Sequence, residues 1–248
     1  MSKHARIMIA PSRYVQRRGA THEIVDHIEF LEKTVLGIGG KTGFEATGMG
    51  KTKSFAAKNI TRYAEVFNRE CTFAEVERVI AVARRHRYAV ILASGGKTID
   101  AVKSVADKIC AATVVYPTIA SSNASCSCLS VVYDEHGDCV DFYYPKKSPD
   151  VALIDSSIIA NGPARFLAPG MDDGLATWFE ADAGVRTCAV SFTGGETPST
   201  ALARASLCFK ILIIYDAMSA ADSMGKLVKA GRPILQEHSC GAAVAVQP

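Results

Sequence analysis

Residues 88–116 constrain this chain more than any other stretch. An apolar run at 88–93 enters the turn Ser94-Gly95-Gly96-Lys97-Thr98-Ile99-Asp100. A segment with Ile99, Val102, Ala106 and Ile109 on one helical face follows, and a second apolar run occupies 113–116. Two short apolar runs separated by one amphipathic helix make a βαβ unit, whose strands must lie parallel because no hairpin can span the helix. The glycine pair at the strand-to-helix turn lets backbone come close to a phosphate. The helix start beyond it offers N–H groups without intrahelical partners and the positive end of the helix dipole. Such a unit predicts an α/β protein that holds a dinucleotide by its pyrophosphate.

The alternation continues on both sides. Residues 6–9 suit a short strand, Ile24, Ile28 and Leu31 share one helix face, 34–38 is a β-branched strand running into Gly39-Gly40, and 64–67 is another strand. Thr72 and Glu75 make a capping box for a helix with Val76, Ile80 and Ala83 inward. Segments 131–133 and 139–144, joined through Glu135-His136-Gly137-Asp138, read as a hairpin appended to the sheet, and 151–154 as one more buried strand. Helical periods then take over at 165–167, 175–183 and 201–215. The predicted fold class is α/β: an N-terminal Rossmann-like parallel sheet with helices over residues 1–162, then an incomplete all-α domain over 163–248, divided near Gly162-Pro163.

With 248 residues, 48% of them hydrophobic and 21% charged, the chain can bury a substantial core, which excludes wholesale disorder. A net charge of +3 is too small to imply nucleic acid, and the basic clusters Lys51-Thr52-Lys53 and Arg84-Arg85-His86-Arg87 read as solvated faces. The eight cysteines are scattered, with no Cys-x-x-Cys pair, and read as reduced thiols. No signal-peptide core opens the chain, and no apolar run approaches the roughly 18 residues of a membrane span. The expectation is a cytoplasmic protein with a small-molecule partner and neither nucleic acid nor membrane; a homo-oligomer is compatible with it.

Three Gly-Lys-Thr tripeptides occur, at 40–42, 50–52 and 96–98, but none is a P-loop, because Val35, Glu45 and Ile91 stand where that motif needs its first glycine. Gly37-Ile38-Gly39 followed by Gly43 is a loosened dinucleotide fingerprint, read either as a plain turn or as a nucleotide-facing loop. Asp100 either hydrogen-bonds a ligand or caps its own helix. Asp172-Asp173 reads as the opening of a helix, where carboxylates complement the dipole or ligate a metal. His238 is the only histidine of the last hundred residues and is, alone, a poor case for a ligand.

A series of markers in order along the chain carries a resemblance. They include Pro11-Ser12-Arg13-Tyr14-Val15-Gln16, Phe67-Asn68-Arg69-Glu70-Cys71, Gly95-Gly96-Lys97-Thr98-Ile99-Asp100 and Pro117-Thr118-Ile119-Ala120-Ser121. Pro149-Asp150-Val151-Ala152-Leu153-Ile154-Asp155, Pro163-Ala164-Arg165-Phe166-Leu167 and Gly170-Met171-Asp172-Asp173-Gly174 follow. Together they resemble the glycerol dehydrogenases of the metal-dependent, "iron-containing" alcohol dehydrogenase superfamily. The resemblance implies NAD-linked oxidation of glycerol to dihydroxyacetone at a divalent metal, usually zinc. By position it assigns the pyrophosphate to Gly96, Lys97, Thr98, Ile99 and Asp100. The cofactor wall and nicotinamide side fall on Thr118, Ile119, Ala120, Ser121, Ser127, Leu129 and Tyr133, the glycerol contact on Asn123, and the first metal ligand and catalytic position on Asp173.

The chain departs from that family at four places. Asn123 replaces an aspartate, Leu92 and Ser94 replace glycines of the phosphate turn, and Gly39 replaces a carboxylate expected for the adenosine ribose. The two histidine ligands of the family's later helical domain do not appear. The similarity fades near residue 236, so the resemblance implies a C-terminally shortened relative that binds zinc poorly and turns over glycerol negligibly. Its alternatives are a nucleotide-binding remnant without activity or a relative acting on another polyol.

Overall fold

The computed structural model describes residues 9–47 and 54–190. Strands β1 (Arg13–Arg17), β2 (Thr34–Gly39), β3 (Thr61–Val66), β4 (Val90–Ser94), β5 (Ala112–Tyr116) and β8 (Val151–Asp155) form one sheet in the order β1-β8-β5-β4-β2-β3. Every pairing in it is parallel. Helices α1 (Ile24–Ile28), α2 (Lys41–Thr47), α3 (Ser54–Ala57), α4 (Phe73–Arg85) and α5 (Gly96–Ile109) lie in the connections between strands, and α6 (Ser156–Asn161) follows β8. The predicted α/β class with a Rossmann-like parallel sheet is what forms.

Alternate residues of a strand face opposite ways, so a sheet covered on both faces needs apolar residues at every position. Leu36, Ile38, Ile91, Ala93, Val115 and Ala152 pack on one face against α4 and α5. Val35, Val90, Leu92, Val114, Tyr116, Val151 and Leu153 pack on the other against α1. Helix α5 is buried nearly all round, with Ala101, Val102, Lys103, Ser104, Val105 and Ala106 each almost inaccessible. Parallel pairing also puts all six C-terminal strand ends on one rim. On the opposite rim three non-glycine residues hold left-handed backbone where a helix turns into a strand: Asn59 (φ 56°), Arg87 (φ 54°) and Cys110 (φ 56°).

The structure corrects several expectations. The strand expected at 6–9 lies mostly outside the described residues, and the first strand described is instead β1, a polar edge strand paired with β8. The hairpin, β6 (Ser130–Tyr133) with β7 (Cys139–Tyr143), is a separate two-stranded antiparallel sheet rather than an extension of the large one. Only half of the capping box forms. Thr72 Oγ1 accepts the Glu75 N–H at 3.1 Å, but the Glu75 carboxylate accepts from Asn68 N–H at 3.0 Å and from Arg78 Nε at 2.8 Å. Beyond α6 a short 3-10 turn, Ala164–Phe166, leads into α7 (Leu167–Thr187), one helix of 21 residues. The helix expected at 201–215 lies outside the described residues. Among the described residues no helix is long and apolar enough to cross a membrane.

Candidate active site

The chain runs from β2 to β3 in one direction and then crosses back to β4, β5 and β8 in the other. The connections leaving β2 and β4 therefore diverge, and the crevice at their C-terminal ends is where open α/β sheets bind ligands. Gly39 and Ser94, the last residues of these two strands, are register partners. A Cβ on Gly39 would overlap Ser94 Oγ, and one on Gly43 would lie 2.7 Å from it. That hydroxyl is buried and finds no hydrogen-bond partner among the described residues. Gly95 follows with φ 101° and ψ 156°, a conformation open to glycine and almost nothing else, and α5 starts at Gly96 without a side-chain cap. A turn of minimal bulk, an orphaned buried hydroxyl and an uncapped first turn of a 14-residue helix together suit an anionic linkage such as a diphosphate.

The predicted phosphate residues divide by environment. Lys97 is exposed, pairs with Glu70 and stands 4.9 Å above the Tyr133 ring. The hairpin turn at Gly137 lies against this pair. Thr98 and Asp100 are buried, the Ile99 side chain sits in the core, and the Ile99 N–H is donated to Gly95 O at 3.0 Å. Burial raises the carboxyl of Asp100 above its ordinary pKa, against the opposing pull of the Lys103 ammonium and the Val131 N–H. Burial likewise raises the half-buried Tyr133 hydroxyl, helped by the charge of Asp100.

The other wall is the loop after β5. Thr118, Ile119, Ala120 and Ser121 are half-buried there, as is Asn123, whose backbone carbonyl accepts the N–H groups of Cys126 at 3.0 Å and Ser127 at 3.2 Å. Helix α7 sits directly on this loop, because a Cβ on Gly170 would overlap the Ala120 carbonyl. Leu167, Gly170, Gly174, Thr177 and Ala181 make its buried stripe. Asp173 lies one turn beyond Gly170, half-buried, and its carbonyl accepts from Thr177 Oγ1 at 2.9 Å. Asp172 and Asp173 thus lie in the second turn of α7 rather than opening it, and no acidic residue occupies the first turn. Complementing the helix dipole does not explain them, since that effect fades within the first turn. Among the described residues no group of three or more His, Cys, Asp or Glu side chains gathers where a metal could be held. His238 lies outside the described residues.

The family model for iron-containing alcohol dehydrogenases matches residues 11–156, which contain the whole sheet and the crevice. The chain belongs to the iron-containing alcohol dehydrogenase family. The glycerol dehydrogenase of Thermotoga maritima is 36% identical over 212 residues, 85% of this chain and 58% of that protein. A glycolaldehyde reductase of Halobacterium salinarum is 37% identical over 204 residues, 82% of this chain and 56% of that protein. The crystal structure of a probable glycerol dehydrogenase from Sinorhizobium meliloti superposes with a TM-score of 0.74 at 32% identity, covering 92% of this chain and 61% of that one. The chain spans less than two thirds of the length of each of these relatives.

Within this family fold the structure adds a residue that the sequence reading passed over. Lys103 on α5 is 2% exposed, and its ammonium lies 3.0 Å from Asp100 Oδ1. It donates to Ala124 O at 3.0 Å and Ser127 Oγ at 3.1 Å, and also reaches the carbonyls of Ser127 and Leu129. Two of the predicted cofactor residues, Ser127 and Leu129, therefore take their places from a lysine. The sequence signal was a lysine three residues after an aspartate within an otherwise apolar and small-residue stretch, the spacing of an intrahelical ion pair. A second, open cleft of about 470 Å³, bordered by Asn68, Arg69, Thr72, Arg78, Glu135 and His136, holds none of the predicted site residues.

Proposed function

We propose that this chain carries the coenzyme-binding part of an NAD-dependent polyol dehydrogenase that oxidises glycerol to dihydroxyacetone. The observation that carries the reading is the crevice between β2 and β4, where the Gly39–Ser94 contact, the Gly95 turn and the start of α5 leave room for a diphosphate. Glycerol is supported by relatives that bear the name glycerol dehydrogenase at 34–36% identity. Residues 1–162 make the coenzyme half and 163–248 belong to the metal and substrate half.

NAD, when bound, accepts a hydride from the alcohol carbon. The N–H groups of Gly96, Lys97 and Thr98 hold its pyrophosphate, while Ile99 closes the turn through its N–H on Gly95 O and anchors it by its core side chain. Thr118, Ile119, Ala120, Ser121, Ser127, Leu129 and Tyr133 line the side where the nicotinamide rests. Asn123 offers a neutral amide to a glycerol hydroxyl. The chain's contribution is positional: it holds the alcohol carbon against the ring and keeps water from the space between.

Zinc is the metal this reading implies, and Asp173 is its candidate ligand. One carboxylate falls short of the three protein ligands of a catalytic zinc, so the donors among the described residues do not fit it. The same shortfall favours a second reading, a nucleotide-binding protein without turnover. NADH titration followed by an assay for zinc-dependent NADH formation from glycerol separates the two. Binding with turnover supports the dehydrogenase, binding without turnover supports the second reading, and absence of binding refutes both.

A further inference from the structure

We propose that Lys103 is a positioning residue, whose buried ammonium fixes the loop at 124–129 as the cleft wall on which the redox end of the coenzyme rests. The inference builds on the coenzyme reading above and adds to it a residue that touches neither ligand. An ammonium is almost never fully buried unless paired, and this one is paired in a particular way. Apart from Asp100, its acceptors among the described residues lie in one short segment: Ala124 O, Ser127 O, Ser127 Oγ and Leu129 O. That segment contains no helix or strand, so its carbonyls find no backbone ladder to join. Carbonyl dipoles converging on one point repel one another and remain unsatisfied unless a cation or donor stands there. Lysine suits the task, being a compact charge with three donors and no planar fork to accommodate.

The consequence for the cleft follows from where Lys103 is mounted. Helix α5 begins at Gly96, the seat for the pyrophosphate, and Lys103 stands seven residues along it, about 10 Å at the rise of an α-helix. One rigid rod therefore holds both the phosphate end and the wall for the nicotinamide end, and sets the spacing between them. Asn123 heads the same loop through its carbonyl, so the substrate contact moves with the wall. Asp100 anchors the arrangement on the other side, accepting from the Val131 N–H where β6 begins.

The test compares two ligands on the full chain. ADP-ribose contains the pyrophosphate and both riboses but no nicotinamide; NADH contains all of them. Each is titrated calorimetrically into the wild type, Lys103→Met and Lys103→Gln, with thermal unfolding recorded alongside. In Lys103→Met we expect NADH affinity to fall at least about tenfold while ADP-ribose affinity stays within about twofold. Lys103→Gln keeps two donors in the same space, serves if the methionine variant does not fold, and shows the same split at smaller size. General unfolding would weaken both ligands together, so equal loss of both, or no loss of either, overturns the positioning role. A wild type that binds neither ligand overturns the coenzyme reading itself, and this proposal with it.

Discussion

Replacing Gly170 by alanine tests whether helix α7 and the loop after β5 form one unit. A Cβ there would overlap the Ala120 carbonyl oxygen and lie 2.8 Å from its carbon and 3.3 Å from Ser121 Cα. Carbon atoms rest at about 3.5–4.0 Å from one another and the oxygen is closer still, so α7 must retreat by at least about 1 Å. The obstacle is backbone on both sides, and no side chain can swing away to relieve it. Overpacking of this kind costs about 1–3 kcal/mol. Against it stands the helix propensity gained on exchanging glycine for alanine, about 0.8–1 kcal/mol. Because the overlap is with backbone, the upper part of that range applies, and the net expectation is a loss of about 1–2 kcal/mol, read as a lower urea midpoint at unchanged slope. The displacement also carries Asp173 away from the loop that bears Asn123, and in an active enzyme a misplacement of about 1 Å can cost about a hundredfold in rate. If Gly170→Ala is as stable as the wild type and binds NADH equally well, helix propensity has prevailed and the close approach of α7 to the loop is refuted.

Other expectations follow from the same geometry. Asp155 is 1% exposed and accepts from Gly19 N–H and Thr21 N–H at 3.0 Å each, from Ser157 N–H at 3.0 Å, and from the Thr21 hydroxyl. Burial alone would raise its carboxyl, but these bonds outweigh burial and hold it below the ordinary 3.8. Its contribution to stability is thus complete above that value and lost as pH falls through the lower folded-state value. Asp155→Ala leaves those donors unpaired and should cost at least about 1–3 kcal/mol in urea unfolding at pH 7, and a cost that does not shrink in acid would contradict this account. Gly95→Ala forces a side chain into φ 101° and should cost about 1–3 kcal/mol. It should also weaken ADP-ribose binding, and unchanged affinity by titration would remove that turn from the phosphate seat.

Much of the sheet could be read in advance because its inner strands are buried on both faces. Runs such as Val90-Ile91-Leu92-Ala93 and Val151-Ala152-Leu153-Ile154 have no other destination than a covered parallel sheet. β1 was missed for the opposite reason. Arg13-Tyr14-Val15-Gln16-Arg17 is an edge strand of polar composition, made a strand by pairing with residues 151–155, a partner no local pattern announces. The continuity of α7 was hidden by Pro169, Gly170, Gly174 and Gly184, which read as punctuation. The proline falls within the helix's first turn, where its missing N–H is harmless, and Gly170 serves close packing on Ala120. Of the candidate site, the glycine turn before α5 was legible because a phosphate seat is local. The wall at 118–129 was legible only as a set of positions. Its shape comes from Lys103 and from α7, contacts spanning 21 to about 50 residues of chain.

The three left-handed corners at Asn59, Arg87 and Cys110 stand on the rim away from the crevice, at the ends of helices where glycine is the usual occupant. Asparagine tolerates that conformation, but Arg87 and Cys110 hold a backbone disfavoured by about 1–2 kcal/mol. Since the loops that would meet coenzyme and substrate all leave the other rim, this tension performs no service at the crevice. The molecule can therefore be made sturdier from underneath, for instance by Arg87→Gly or Cys110→Gly, while the face that meets its ligands stays as it is.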